Sequence, residues 1–159
     1  MAILNIVKDG DEILRKISRE VKVPDPKIDQ LLEDMKETMA KAGGVGLAAV
    51  QVGKLRRVIV IDTGEEQLEL INPVKLSEEG VQEELEGCLS CPGQWGVTRR
   101  PMKVTVETLD RKGDRIRYTG EGLMAKAICH EMDHLDGKLF YDEAIHMLTP
   151  EELEEYEKG

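Results

Sequence analysis

Between Asp25 and Gly44, apolar side chains recur every three or four positions, with Ile28, Leu31, Leu32, Met35 and Met39 falling on one face of a 3.6-residue period. The spacing predicts an amphipathic helix. Asp25 can cap its start, Pro26 suits its first position, and Gly43 and Gly44 end it. Downstream the period shortens towards two. "RRVIVID" and "QLELINP" read as short strands, and "MKVTVETLD" and "DRIRYTG" flank "RKG" as a hairpin. Helical spacing returns from Glu121 to about Leu135, with Gly137 just beyond as a stop, and places Leu123, Ala127, His130 and His134 on one stripe. The tail, 148–159, opens like a short exposed helix, with Thr149 as cap and Pro150 in the first turn. No repeat or break in composition divides the chain, so 1–159 is expected to form a single domain.

Composition narrows the setting. A formal charge of −10 disfavours nucleic acid and anionic lipid as partners, because both attract basic patches. No segment approaches the roughly 20 apolar residues of a membrane span, and the first residues lack the order of a secretory signal. Three cysteines are too few for a disulfide framework. The expected setting is a reducing cytoplasm.

The predicted second helix carries the chemistry. "HEMDH" (130 to 134) spaces two histidines by about one helical turn, so His130 and His134 can bind one ion, and Glu131 lies beside that face. A carboxylate so placed can take a proton from water during metal-dependent amide hydrolysis. Chance could also place two histidines four apart, but here they continue an apolar stripe, and a buried unpaired imidazole is costly. A catalytic ion normally takes three protein ligands plus water. Phe140 stands where a metzincin would carry its third histidine. Glu151 and Glu154 belong to an acidic surface run, and His146 reads as an ordinary polar residue. Cysteine is the attractive third donor, since a thiolate binds iron or zinc strongly and "EGCLSCPG" (86 to 93) is framed by Gly87 and Gly93.

"GVGLAAVQ" (44 to 51), "EGCLS" (86 to 90) and "HEMDH", in this order and spacing, closely resemble the three motifs of peptide deformylases. The resemblance runs from "ILNIVKDGDEILRK" through "HLDGKLF". It implies an α+β fold, with small antiparallel or mixed β-sheets packed around a central metal-binding helix and a further helix towards the N-terminus. It implies that Cys88, His130 and His134 hold one divalent ion, ferrous iron first, with zinc, nickel or cobalt as substitutes. Glu131 becomes general base and acid, while the Gln51 amide and the Leu89 backbone N–H serve the oxyanion. The substrate implied is a nascent peptide beginning with formylmethionine, which loses formate; this brings the chain transiently near the ribosome of a bacterial-type cytoplasm. That peptide would pair like a strand with Gly44, Val45 and Gly46, and its methionine would enter a pocket lined by Val45, Leu123 and Ala127. For Val45 and Leu123, core packing is an equal account.

Some positions depart from the family. Cys91 and Cys129 stand where an aliphatic residue and glutamine are common, and both read as packed hydrophobes. Glu84 and Lys126 occupy neighbourhoods that are often apolar, and the acidic tail differs from the basic ribosome-docking helix of some members. Arg100 and Asp133 are read as a buried ion pair behind the helix. Two rivals remain. Cys88, Cys91, His130 and His134 could form a closed, non-catalytic zinc site. Alternatively, Cys88 and Cys91 could be a redox pair, although Pro92 and Gly93 predict an extended loop rather than the helix such a pair wants.

Overall fold

A computed structural model describes residues 2–158. Helix α1 (Pro26–Ala42) forms where the period predicts it: the Asp25 side chain accepts from Lys27 N–H at 2.9 Å, and Gly43 closes the helix in the left-handed region at φ 72°. The chain then lays down β1 (Gly46–Ala48), a single 3-10 turn over Ala49–Val52, β2 (Val58–Asp62) and β3 (Gln67–Glu79). Next come β4 (Gln82–Cys88), β5 (Cys91–Arg100), β6 (Lys103–Leu109) and β7 (Arg115–Glu121). Helix α2 (Leu123–Leu135), the short α3 (Phe140–Glu143), β8 (Ala144–Met147) and α4 (Pro150–Lys158) complete it.

The strands form two antiparallel sheets, one ordered β1-β2-β3-β6-β7 and the other β4-β5-β8. The larger sheet has a helix on each face. Strand β2 shows why, since Val58 to Ile61 are all buried and its side chains alternate between two cores. Val58 and Val60 pack with Leu32, Met35 and Met39 of α1, whereas Ile59 and Ile61 join the cluster that holds Ala125 and Ile128 of α2. Each such fully buried side chain contributes roughly 1.5–3 kcal/mol. Strand β6 buries Val104, Val106 and Thr108 and leaves the residues between them half-buried, the alternation its sequence shows. An ion network ties α1 to the sheet: Glu69 of β3 receives Arg111 at 2.6 and 2.8 Å and also pairs with Lys36.

Two expectations need correction. The second helix starts at Leu123 and not Glu121, because Glu121 still pairs with Lys103 in the sheet and Gly122, at φ 59°, turns the chain into the helix. Residues 86 to 93 are not an extended loop. They are the end of a hairpin whose strands β4 and β5 meet across a two-residue turn, Leu89-Ser90, with Cys88 facing Cys91. Pro92 is tolerated beside this turn. The tail does form a helix, α4, which buries no side chain. Thr149 Oγ accepts from Glu152 N–H, and the Glu152 carboxylate accepts from Thr149 N–H, a reciprocal cap. Gly159, the last residue of the predicted tail, lies outside the described residues.

Candidate metal centre and cleft

Helix α2 runs buried between the two sheets and carries His130 and His134 on its inner side, while the β4–β5 turn delivers Cys88 from the smaller sheet. The ligand atoms of these three residues all lie within 4.8 Å of one another, and Cys88 Sγ stands 3.2 Å from His134 Nε2. Cys91 is not in this group; its side chain is buried in the core beneath the hairpin. All three cysteines are free thiols, and a turn and strand follow Cys88 where a redox pair would want a helix. Glu151 and Glu154 belong to α4 and are absent from the group, and His146 on β8 binds the Glu152 carboxylate at 2.8 Å instead.

A buried charge network aims the histidines. His130 Nδ1–H donates to the Glu86 carboxylate, which leaves Nε2 as the lone-pair nitrogen. Glu86 also receives Arg100 at 2.8 and 3.1 Å and the Thr98 hydroxyl at 2.7 Å. Arg100 in turn reaches Asp133 at 2.7 Å, so the expected Arg100–Asp133 pair forms as part of a larger chain of contacts. Burial alone would push the Glu86 carboxyl up, but hydrogen bonds from His130 and Arg100 hold it well below the usual carboxylate range. Sequence reasoning missed Glu86. Its signal was an acidic residue two positions before the motif cysteine, in a strand whose inward side it fills.

The donors fit a cation. Burial, reinforced by His130, holds His134 well below the ordinary histidine value, so its ring is neutral and able to bind through a lone pair. The neighbouring Cys91 thiol and burial push the Cys88 thiol up, so a cation is what would hold it as thiolate. Nδ1 of His134 and Oε1 of Glu131 are buried without a hydrogen-bond partner among the described residues. One sulfur and two imidazole nitrogens are a three-ligand set for a transition metal, with the remaining position free for chemistry.

The cluster borders a cleft of about 440 Å³, lined by Cys88 and His130 and by Gln51, Leu89 and Glu131. Gly44, Val45, Gly46, Leu123 and Ala127 line it as well. Glu131 is fully enclosed, and burial pushes its carboxyl up to about 7. Its Oε2 lies 3.9 Å from His130 Nε2. Gly46 makes this possible, because a Cβ there would stand 2.6 Å from Glu131 Oε2. Gln51, only 1% exposed, is fixed by its own backbone: Oε1 accepts from Ala48 N–H at 2.9 Å, which turns Nε2 towards Ser90 Oγ at 3.1 Å and Cys88 Sγ at 3.5 Å. Leu89 N–H, in the hairpin turn, has no backbone partner among the described residues. Val45 and Leu123 are exposed rather than packed in the core, and Ala127 is buried. Trp95, which sequence reasoning did not single out, walls the cleft above Gly87, where any Cβ would strike its ring.

Known proteins share this sequence and this fold. The family model described as polypeptide deformylase matches residues 3–149. A peptide deformylase of Acetivibrio thermocellus is 54% identical over 97% of this chain and 91% of its own length. Among solved structures, a peptide deformylase from Legionella pneumophila is 42% identical, covers 99% of this chain and 96% of its own, and superposes with a TM-score of 0.86. A class I type b peptide deformylase from Acinetobacter baumannii, described as Met-Ala-Ser bound, is 30% identical with a TM-score of 0.84, covering 89% of this chain and 98% of its own. A likeness that spans nearly the whole sequence and the whole fold decides the matter: the chain belongs to the polypeptide deformylase family.

Proposed function

We propose that this chain hydrolyses the N-formyl group from the formylmethionine of nascent peptides, releasing formate, with Cys88, His130 and His134 as the ligands of a divalent ion. Ferrous iron is the proposed ion, because a mixed thiolate and imidazole set suits it, with zinc, nickel or cobalt able to replace it. When bound, such an ion supplies Lewis acidity, which polarises the formyl carbonyl and makes water acidic enough to react at neutral pH.

The protein's own residues do the remainder. Glu131 is the proposed base and acid: an enclosed carboxyl near pH 7 can accept a proton from water and return it to the leaving amine. The Gln51 Nε2–H and the Leu89 N–H are the proposed donors to the oxygen that becomes negative, and one such donor contributes roughly 2.7–4 kcal/mol in comparable sites. Strand β1 is an edge of the larger sheet, so its outer side is open to an extended peptide beside Gly44, Val45 and Gly46. Leu123 and Ala127 then line the space for the first side chain, in keeping with the Met-Ala-Ser peptide held by the Acinetobacter relative. A cytoplasmic setting and brief proximity to the ribosome follow from a nascent substrate, with the whole chain acting as one domain. Helix α4 is acidic, with Lys158 in its last turn, so the basic ribosome-docking helix of some family members is not carried over to it.

The observation that carries this reading is an enclosed, unpartnered Glu131 oxygen beside a Cys-His-His cluster that opens into a cleft. Protein prepared without oxygen should hold one divalent ion and release formate from formyl-Met peptides. Glu131→Ala should retain the ion and lose turnover. Iron-, nickel- and zinc-loaded protein that all fail to release formate would overturn the proposal.

A further inference from the structure

Among the described residues, Lys126 is the only lysine or arginine that lines the cleft. It projects from α2 one turn before His130, so it and the ligand histidine share a helix face. Its Nζ donates to the Leu85 carbonyl of β4 at 3.1 Å. The aliphatic stem therefore crosses from helix to strand as part of the cleft wall, while the ammonium is tethered at a defined point. An ammonium has three donors, and among the described residues one is engaged. Leu85, Leu123, Ala127 and Trp95 are apolar members of the same lining, and Gln94 and Gln51 are polar ones. Gln51 and Leu89 offer donors at the reacting end of the cleft, and a tethered ammonium on the α2 wall adds a cationic one, so the walls select for shape and this point for an acceptor.

The reach matches the first residue of the substrate. The step from His130 back to Lys126 is four residues of helix, which rise about 6 Å. From a formylated nitrogen to the sulfur of methionine there are four bonds of about 1.5 Å, which in extended form cover a comparable span. A thioether sulfur is a weak acceptor, whereas the oxygen of a methionine sulfoxide is a polar acceptor carried on the same atom. Resting on the deformylase reading, we propose that Lys126 is a specificity-determining residue whose ammonium favours a first side chain ending in an acceptor, and that peptides beginning with formyl-methionine sulfoxide are substrates of this chain.

The test compares formyl-Met-Ala-Ser with its sulfoxide counterpart, using metal-loaded wild type, Lys126→Met and Lys126→Arg. Each is measured by kcat/KM for formate release, and the deformylated peptides by dissociation constant. The sulfoxide-to-thioether ratio should fall about tenfold in Lys126→Met, in kcat/KM and in product affinity alike, and Lys126→Arg should recover most of it. A ratio that ignores the residue at 126, or a parallel loss for both peptides, overturns the assignment and leaves Lys126 as a wall only. Wild type inactive on both peptides overturns the deformylase reading itself, a result distinct from an active enzyme with an unchanged ratio.

Discussion

Replacing Gly46 by alanine adds one methyl group where the structure leaves no room for it. The new Cβ would stand 2.6 Å from Glu131 Oε2, 3.0 Å from its Cγ and 3.1 Å from its Cδ. Ordinary contact begins near 3.4 Å, so the carboxylate must retreat by about 0.8 Å. Strand β1 is held by β2, and α2 is anchored in the core by Ala125, Ile128 and Leu135, so the displacement falls on the Glu131 side chain. A misplacement of about 1 Å at a reacting group lowers the rate on the order of 100-fold. The expected result is a kcat reduced about 100-fold, with metal content unchanged and the melting temperature little affected, because the three atoms nearest this methyl group all belong to Glu131 and none to Cys88, His130 or His134. Steady-state formate release beside metal analysis of the same sample measures both. A Gly46→Ala protein with wild-type kcat would show that the position of Glu131 does not matter to the reaction.

Replacing the two facing thiols in turn should separate them: Cys88→Ser loses most of the bound metal, Cys91→Ser keeps it, and equal loss from both would revive a closed four-ligand site. Glu86→Gln leaves Arg100 without its main buried partner and His130 without its charged acceptor. Breaking a buried pair costs roughly 3–5 kcal/mol, and loss of such an orienting carboxylate lowers metal affinity about 10–100-fold; chemical denaturation and metal titration would expose a smaller effect. The carboxyl of Glu69 is pushed up by burial but more strongly held down by Arg111 and Lys36, so its folded value lies below its unfolded one. The stabilisation from that pairing is therefore fully present above the unfolded value near 4.3 and lost as pH falls through the folded value. The stability gap between wild type and Glu69→Gln, about 1 kcal/mol at pH 7 for a half-exposed network, should narrow on acidification below about pH 4; a gap that widens there would contradict this.

Elements with a clean hydrophobic period are legible in the sequence. Helix α1 and the β6–β7 hairpin lie where alternation and caps place them, because one face of each is apolar and the other polar. Strand β4 is hidden for a physical reason: the inward position that would announce a strand is filled by Glu86, made tolerable there by Arg100 and His130. The second half of β3, Val74 to Glu79, is exposed throughout and buries neither of its faces. The start of α2 shifts by two residues from its expected position because Glu121 is compatible with either element, and Gly122 decides between them through its backbone. At the site, the motifs point to the proposed donors and base, but their tautomers and orientations are set by partners far away in sequence. Glu86 lies 44 positions before His130, and Gln51 reaches across 37 positions to Cys88. No local pattern encodes such pairings.

Cys88 belongs to one sheet and the two histidines to the helix that packs against the other, with 46 positions of chain between Cys88 and His134. An ion held by all three therefore closes a long loop, as a disulfide would. By the chain-entropy relation a closure of that length restricts the unfolded ensemble by about 4 kcal/mol. Loading becomes part of folding, and the melting temperature of the protein should track the concentration of free ion in its surroundings. The three side chains proposed to serve the reaction would thus also set how long the protein survives where that metal is scarce.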